Sequence, residues 1–291
     1  MALITLDDSF TPDSPVLVAA LDGWVNGGRA GTLAAEQLAD GGRVVATFDP
    51  DRLFDFRSRR PTLDVIDGKL AGIEWPRLEL TSTRIGERDL LVLTGGEPDF
   101  VWRELAGEVR TLVRRLKVTS WVTLGAIPST VAHTRPVPVL GTASSPGLLP
   151  AGVTQGPMGH LRVPAAAISV LEHAVSESGI PSIGFFAQVP HYASGSYPSA
   201  AIALLSAVGQ YLAVELPIGE LGKRALETRS LLDAATSGDE RTRTYVESLE
   251  QAADAAGTRS ADDLIADIER YLREGEPGGG ERGSGGGGRP N

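Results

Sequence analysis

The sequence contains no cysteine among its 291 residues. Disulfide frameworks, cysteine-ligated zinc or iron–sulfur sites and thiol nucleophiles are therefore excluded, and nothing in the composition indicates an oxidising compartment. The 4 histidines do not pair at the spacing of metal ligands. Any catalysis would have to use oxygen and nitrogen groups, and the sequence predicts no metal and no other cofactor.

Long apolar runs and excess positive charge are also missing. No stretch approaches the roughly 20 apolar residues of a membrane helix, and the first residues lack the basic segment of a signal peptide. The 27 Lys and Arg against 37 Asp and Glu give a formal charge of -10, which disfavours phosphate backbones and anionic membranes as partners. We therefore expect a cytoplasmic protein with no nucleic-acid partner and no membrane partner.

The composition predicts one large domain with two additions. Residues 1–216 form the predicted core domain, residues 217–274 a polar helical appendage, and residues 275–291 a disordered glycine-rich tail. Ser237 with Glu240, and Ser260 with Asp263, have the capping-box spacing of two helix starts. The narrow apolar stripes of these helices fit either packing on the core or docking of a partner.

Within the core, short apolar runs alternate with helical patterns, which is typical of an α/β domain whose strands are buried on both faces. The predicted strands are Val16–Leu21, Val44–Phe48, Leu90–Thr94, Trp121–Leu124 and Ile183–Ala187. The predicted helices are Gly28–Leu38, Val101–Leu116, Ala165–Ser176 and Ser199–Val214. A hairpin of Thr62–Ile66 and Leu70–Leu80 is expected around Asp67-Gly68. Together these elements predict a three-layer α/β/α sandwich.

Glycine-rich loops with polar and aromatic residues follow four of the predicted strands. In open α/β sheets, ligands collect beyond the carboxyl ends of the strands, so these loops predict one binding rim. The alternative is that glycine and proline there only make short turns. The candidate ligand- or partner-binding residues are Asp22, Trp24, Asn26, Arg59, Arg60, Glu97, Trp102, His133, Arg135, His191 and Tyr192.

Formal catalytic motifs are missing from the sequence. There is no G-x-S-x-G elbow, no H-E-x-x-H and no Walker phosphate loop, so no catalytic residue is assigned. His133 and His191 could act as general bases or could simply be bound by loop carbonyls. The cluster of Arg57, Arg59 and Arg60 could clamp an anion or an acidic protein patch, or could pair with neighbouring aspartates.

Taken together, the loop sequences resemble a known family. The segments are Leu21-Asp22-Gly23-Trp24-Val25-Asn26-Gly27-Gly28, Arg59-Arg60-Pro61, Gly96-Glu97-Pro98-Asp99 with Trp102, His133-Thr134-Arg135-Pro136, Gly156-Pro157 and Val189-Pro190-His191-Tyr192. In this order they resemble the actinobacterial branch of the proteasome assembly chaperone 2 family. The resemblance implies a phosphorylase/hydrolase-like fold with a mixed central sheet. Assembly chaperones of this kind often end in a hydrophobic-Tyr-X tail, whereas this sequence ends in Arg289-Pro290-Asn291, so tail docking is not expected.

Two functions follow as hypotheses. The first is a non-catalytic interaction factor of the assembly-chaperone type, which self-associates and binds a partner protein, with proteasome subunits as the candidate, through the strand-end loops. The second is an enzyme or nucleotide-binding protein that uses a strand-end pocket, although fold alone does not license that transfer. In that case Asp22, Asn26, Glu97, His133, Arg135 and His191 would orient and protonate the ligand, and Arg59 or Arg60 would hold an anionic group.

Overall fold

The computed structural model describes residues 2–157 and 159–255. Within this part of the chain, a nine-stranded sheet lies between two layers of helices. The sheet contains both parallel and antiparallel neighbours. The predicted α/β/α sandwich with a mixed central sheet is therefore confirmed.

The strands and helices alternate along most of the chain. The strands are β1 (Ile4–Leu6), β2 (Val16–Asp22), β3 (Arg43–Phe48), β4 (Thr62–Ile66), β5 (Lys69–Glu74), β6 (Leu78–Ile85), β7 (Arg88–Gly96), β8 (Ser120–Ser129), β9 (Val139–Ala143), β10 (Thr154–Gln155) and β11 (Ser182–Pro190). The helices are α1 (Ala30–Ala39), α2 (Pro50–Leu53), α3 (Trp102–Arg115), α4 (Ala167–Ser176), α5 (Pro198–Leu212), α6 (Leu221–Ser237) and α7 (residues 240–255).

The centre of the main sheet is parallel. The strand order is β1-β3-β6-β7-β2-β8-β11-β9-β10, and β7, β2, β8 and β11 run in the same direction. Six consecutive residues of β2 are buried before Asp22 emerges at its end. Burial on both faces explains why these four strands read as continuous apolar runs in the sequence.

Two cores, one on each face of the sheet, fix the helical layers. Helices α3 and α4 pack against one face, with Trp121 as the largest side chain buried there. Helices α1 and α5 pack against the other face, where Phe185 is buried. Because α1 follows β2 and α3 follows β7, the chain leaves these neighbouring strands toward opposite faces. This divergence opens a crevice at their carboxyl ends.

The predicted hairpin forms, but its second strand is shorter than expected. Asp67 and Gly68 both have positive φ, of 51° and 72°, as a type I′ turn requires. The expected strand over Leu70–Leu80 was wrong, because Trp75-Pro76-Arg77 separates β5 from β6, which belongs to the main sheet. Pro76 has no N–H to donate to a ladder, so the strand is interrupted there.

Three further expectations need correction or fall outside the described residues. The second appendage helix is capped by Asp239, whose carboxylate accepts the Thr242 N–H at 2.9 Å, and Ser237 instead ends α6. Strand β3 is buried on one face only, since Val44 is 44% exposed next to the sheet edge. The predicted helix start at Ser260 and the tail of residues 275–291 lie beyond the described residues.

Helix α6, the first helix of the predicted appendage, packs directly on the core. Helix α6 packs against α5, and Leu221 joins the core beneath α1 and α5. The division at residue 216 stays a prediction. None of the helices in residues 2–157 and 159–255 is long and apolar enough to cross a bilayer.

Candidate functional site

The carboxyl ends of the four parallel strands lie side by side at one edge of the sheet. Asp22 of β2 pairs in register with Gly96 of β7, and Ser129 of β8 pairs with Pro190 of β11. We call the loops that leave these ends, residues 22–28, 96–99, 129–135 and 190–193, the strand-end rim. Most of the candidate residues lie on this rim, but they form two separate groups.

The first group is organised by Glu97, which fills the crevice between β2 and β7. Its Oε2 accepts the Trp24 N–H at 2.7 Å, and its Oε1 accepts the Ala167 N–H at the start of α4 at 2.6 Å. Glu97 is only 9% exposed. A side chain at Gly23 would collide with this carboxylate, so glycine is required there. Glu97 therefore joins two loops and caps a helix, as an anion at a helix N-terminus does.

Asn26 stabilises the loop between β2 and α1 in a similar way. Its amide donates to Asp22 Oδ1 and to Thr32 Oγ1, both at 3.0 Å, and its Oδ1 accepts the Thr32 N–H at 3.2 Å. The side chain is buried, and these bonds fix the connection from β2 to α1. Asp22, at the exposed end of β2, is thereby oriented by a structural amide.

The two candidate arginines differ in their surroundings. Arg59 contacts the Asp22 carbonyl and Asp99 Oδ1, each at 3.4 Å, which are long and weak hydrogen bonds. Arg60 is exposed and makes no ion pair with another described residue. It lines an open cleft of about 930 Å³ between α1 and β5, together with Arg29, Glu36, Glu74 and Trp75.

The two candidate tryptophans, Trp24 and Trp102, differ in their exposure to solvent. Trp24 is 73% exposed, so its ring projects from the rim. Trp102 is half-buried against the α3 core, and its indole N–H donates to the Pro98 carbonyl at 2.6 Å. Only Trp24 offers a large apolar surface to a binding partner, whereas Trp102 closes the loop after β7.

The second group is organised by His133, whose side chain is 1% exposed. Its Nδ1 lies 2.7 Å from the Tyr192 hydroxyl, and its Nε2 lies 3.1 Å from Asp233 Oδ1 on α6. Arg229 binds Asp233 and also donates to the His133 carbonyl at 3.0 Å. Burial lowers the pKa of His133, and its hydrogen bond with Asp233 opposes this effect. The imidazole is thus held in place by both the rim and the appendage.

Arg135 extends this group to α7. Its Nε and Nη2 donate to the two carboxylate oxygens of Asp254, both at 2.8 Å, and its Nη1 lies 3.5 Å from Glu250. The hydrogen bond from Arg135 lowers the pKa of Asp254. Thr134 also hydrogen-bonds Glu250. This two-pronged geometry is the arrangement in which a guanidinium recognises a carboxylate best.

Aromatic side chains complete the second group. His191 and Tyr192 each meet Tyr245 of α7 edge-on, with ring centroids 5.7 Å and 6.5 Å apart. His191 is exposed, and its Nδ1 lies 3.3 Å from the Ser129 carbonyl. The loops after β8 and β11 are therefore covered by the two appendage helices.

The structure brings together Asp22, Trp24, Asn26, Arg59 and Glu97 in one group and His133, Arg135, His191 and Tyr192 in the other. Among the described residues, no hydrogen bond or ion pair joins His133 or His191 to Asp22, Glu97 or Arg60. Sequence reasoning missed Arg229, Asp233, Glu250 and Asp254. Their only signals were the acidic excess of residues 217–274 and the i,i+4 spacings of Arg229 with Asp233 and of Glu250 with Asp254.

An exposed apolar surface lies beside the first group, on the two-stranded sheet of β4 and β5. The register pairs Leu63 with Ile73 and Val65 with Leu70, so these four aliphatic side chains share one face. All four are exposed to solvent, from 47% for Leu63 to 75% for Leu70. We call this surface the hairpin face. A two-stranded sheet with such a face is marginal in water unless something packs against it.

The described residues contain no cluster of three or more His, Asp or Glu side chains arranged to hold a metal ion. The rim carboxylates Glu97, Asp22 and Asp99 are instead bonded to backbone N–H groups, to the Asn26 amide and to the Arg59 guanidinium, respectively.

Comparison with known proteins places this architecture in a family. The sequence profile of the PAC2 family matches residues 20–236, from the end of β2 almost to the end of α6. The chain belongs to the PAC2 family. The match covers the strand-end rim and the hairpin but not α7, and the resemblance seen in the loop sequences is confirmed. A search of curated proteins finds no match.

Solved structures of PAC2 and related proteins share the fold along most of the chain. A PAC2 family protein from Streptomyces avermitilis is 33% identical, with a TM-score of 0.71 over 80% of this chain and 99% of its own. A proteasome-assembly chaperone homologue from Mycobacterium tuberculosis is 31% identical, with a TM-score of 0.72 over 79% of this chain and 99% of its own. A second M. tuberculosis protein, of unknown function, is 31% identical with a TM-score of 0.83 and covers 94% of this chain and 96% of its own.

Proposed function

We propose that this PAC2 protein is a non-catalytic interaction factor, similar to proteasome assembly chaperones, that binds a partner protein through the strand-end rim. Proteasome subunits are the candidate partners, and the cytoplasm is the expected site of action. Binding a folded but unassembled subunit through an apolar patch with a polar border would stabilise that subunit and block premature contacts. The proposal combines the family with the chemistry of the rim.

The proposal rests on the hydrogen bonds of the Glu97 carboxylate. This carboxylate lies in the crevice where an open α/β sheet would bind a ligand, and both of its oxygens accept backbone N–H groups. It is therefore engaged in holding loops rather than available as a base. The side chain that projects from the same loops is Trp24, an aromatic of the kind that dominates protein interfaces.

Direct mixing tests the proposal. The full chain is combined with purified, unassembled proteasome α- and β-subunits, and complexes are measured by native mass spectrometry and calorimetry. We expect a stoichiometric complex with one unassembled subunit. If neither subunit binds, and the tagged chain also recovers no stoichiometric partner from its own cells, the chaperone function is rejected.

Self-association is a second part of the proposal, and the hairpin face supports it. Its four aliphatic side chains carry no charge, whereas the opposite face of the same strands carries Asp64, Lys69 and Glu74. Light scattering of Leu63→Ser/Leu70→Ser should show a smaller particle than the wild-type chain. The matched control is Ile66→Ser, which removes a 62% exposed aliphatic group from the opposite face and should leave the size unchanged. Equal particle sizes for all three proteins would reject self-association through the hairpin face.

A small-molecule function is the alternative, and the cleft beside Arg60 is the feature that favours it. A guanidinium that lies beside an open cleft, and that has no ion pair within the described part of the chain, could hold an anionic group. Thermal shifts with nucleosides, nucleotides, phosphate and short peptides test this function. A Tm increase that disappears in Arg60→Ser would support it, and no shift at millimolar ligand would reject it.

A further inference from the structure

Helices α6 and α7 cover half of the strand-end rim through hydrogen bonds to acidic side chains and through the ion pairs of Arg135. The rim contributes His133, Thr134 and Arg135, while the contacts from the helices are made by Asp233, Glu250 and Asp254. The loops after β8 and β11 therefore present a basic and aromatic surface. Its present occupants are α6 and α7 of the same chain, whose carboxylates Asp233, Glu250 and Asp254 face this surface.

The contact between these helices and the core has the composition of a releasable interface. Over the 17 residues of α6, only Leu221 and Thr236 are buried. In residues 240–255 of α7, only Val246 and Leu249 are buried. Polar, modest interfaces within a chain resemble transient protein–protein interfaces and open more readily than apolar ones.

We propose that α6 and α7 form a displaceable cover over the rim loops 129–135 and 190–193, and that an acidic helical segment of a partner protein takes their place. This inference rests on the proposed function, because it specifies what the partner must present to that half of the rim. Until the cover is displaced, the chain occupies its own binding surface.

The contacts of the cover define the chemistry of the competing segment. Glu250 and Asp254 are four residues apart, so they lie on one side of α7 and reach the same guanidinium of Arg135. Tyr245 precedes Glu250 by five residues and meets the rings of His191 and Tyr192. A partner helix with an aromatic residue, then Glu five residues later and Asp four residues after that, would reproduce these ion pairs with Arg135 and these ring contacts with His191 and Tyr192.

A peptide added in trans tests this inference without any proteasome subunit. The probe is a fluorescein-labelled peptide of residues 239–255, and the receptor is the full chain, either wild type or Glu250→Lys/Asp254→Lys. The two lysines repel Arg135 and release the chain's own α7, while the rim stays intact. We expect the double variant to bind the peptide about tenfold or more tightly than the wild-type chain, because the intramolecular competitor is removed.

Two controls separate recognition of the acidic side from general stickiness. A peptide carrying the same two lysines should not bind the double variant, and adding Arg135→Ser to the double variant should abolish binding of the original peptide. Equal binding of the original peptide to both receptors, or no binding at millimolar concentration, would overturn the inference.

Hydrogen exchange of the wild-type chain gives a readout that needs no variant. Amides of residues 240–255 should exchange faster than those of α5 under conditions where the core stays folded. Equal protection of α5 and α7 would mean that the cover opens only on global unfolding, which contradicts the inference. Peptide binding together with failure to bind proteasome subunits would reject the proposed partner and leave the site standing.

Discussion

The carboxylate of Glu97, at the end of β7, lies 2.6 Å from the backbone nitrogen of Ala167, 70 residues later at the start of α4. The second oxygen of the same carboxylate accepts the Trp24 N–H. One buried side chain thereby connects three chain segments at the rim and supplies α4 with a cap that its own Ala166 cannot provide. The position of Trp24 depends on this connection.

Replacing Glu97 by Gln should destabilise the protein by about 2 kcal/mol, because an amide NH₂ group would face one of the two backbone N–H donors without accepting it. Urea unfolding gives the difference in free energy. The control is Glu104→Gln, which removes an exposed ion pair with Arg52 and should cost less than about 1 kcal/mol. Equal losses for the two variants would show that Glu97 is only a surface charge.

Adding one methyl group at Gly23 should lower the stability of the protein more than adding one at Gly107. At Gly23 the new Cβ collides with the Glu97 carboxylate, whereas at Gly107 nothing lies within 4 Å. Gly107 is inside α3, where alanine should stabilise the helix by up to about 1 kcal/mol. Gly23→Ala should lower Tm and Gly107→Ala should raise or maintain it. The opposite order would contradict the packing of Glu97 against Gly23.

Glu172 on α4 should lower stability at neutral pH. Burial raises the pKa of this carboxyl, and a hydrogen bond from the Thr123 hydroxyl only partly opposes the effect. The folded state then holds the proton more tightly than the unfolded state, so stability falls as pH rises from the usual glutamate pKa through the raised one. Glu172→Gln should therefore raise the free energy of unfolding at pH 7 by about 1 kcal/mol, measured by urea unfolding. The gain should shrink toward pH 4, and a gain independent of pH would contradict this reasoning.

His133 should make the stability of the folded protein sensitive to pH. Burial lowers its pKa in the folded state, so the folded protein binds fewer protons than the unfolded one. Stability should be intact above the ordinary histidine pKa of about 6.5 and should fall as pH drops below it. The ring faces Tyr192, Asp233, Arg229 and Glu250, of which Arg229 adds to the lowering and the two acids oppose it.

The measurement is the pH dependence of unfolding between pH 7.5 and the acid range for the wild-type chain and His133→Gln. The variant cannot titrate at this position, so its stability should vary less over the window just below the histidine pKa. Parallel curves for the two proteins would show that His133 does not contribute to the pH dependence.

The fold was predictable from the sequence where burial alone determines the pattern. The runs in β2, β7, β8 and β11 are buried on both faces, and the 3.6-residue stripe of α3 is equally clear. Strands β1, β9 and β10 were not predicted. Strands β1 and β10 are short edge strands, β9 is only partly buried, and the pairing of all three depends on distant neighbours.

The candidate site was predictable only in part, for a similar reason. Glycines and polar residues after the strands identified the rim, because strand ends and turns have local signatures. The partners of His133 and Arg135 were not identifiable, since Asp233, Glu250 and Asp254 lie 100 or more residues away in sequence. Such pairings come from tertiary structure, and no local pattern distinguishes these acids from other solvated charges on the same helices.

The central claim, that the rim is a protein-docking surface, is tested most directly by the affinity of Trp24→Ser for an unassembled proteasome subunit. Trp24 is 73% exposed, and the control Leu226→Ser removes a 72% exposed side chain from helix α6. Both variants should keep the wild-type Tm. We predict that Trp24→Ser weakens binding by about tenfold or more while Leu226→Ser does not. Unchanged affinity in Trp24→Ser would contradict docking through the rim.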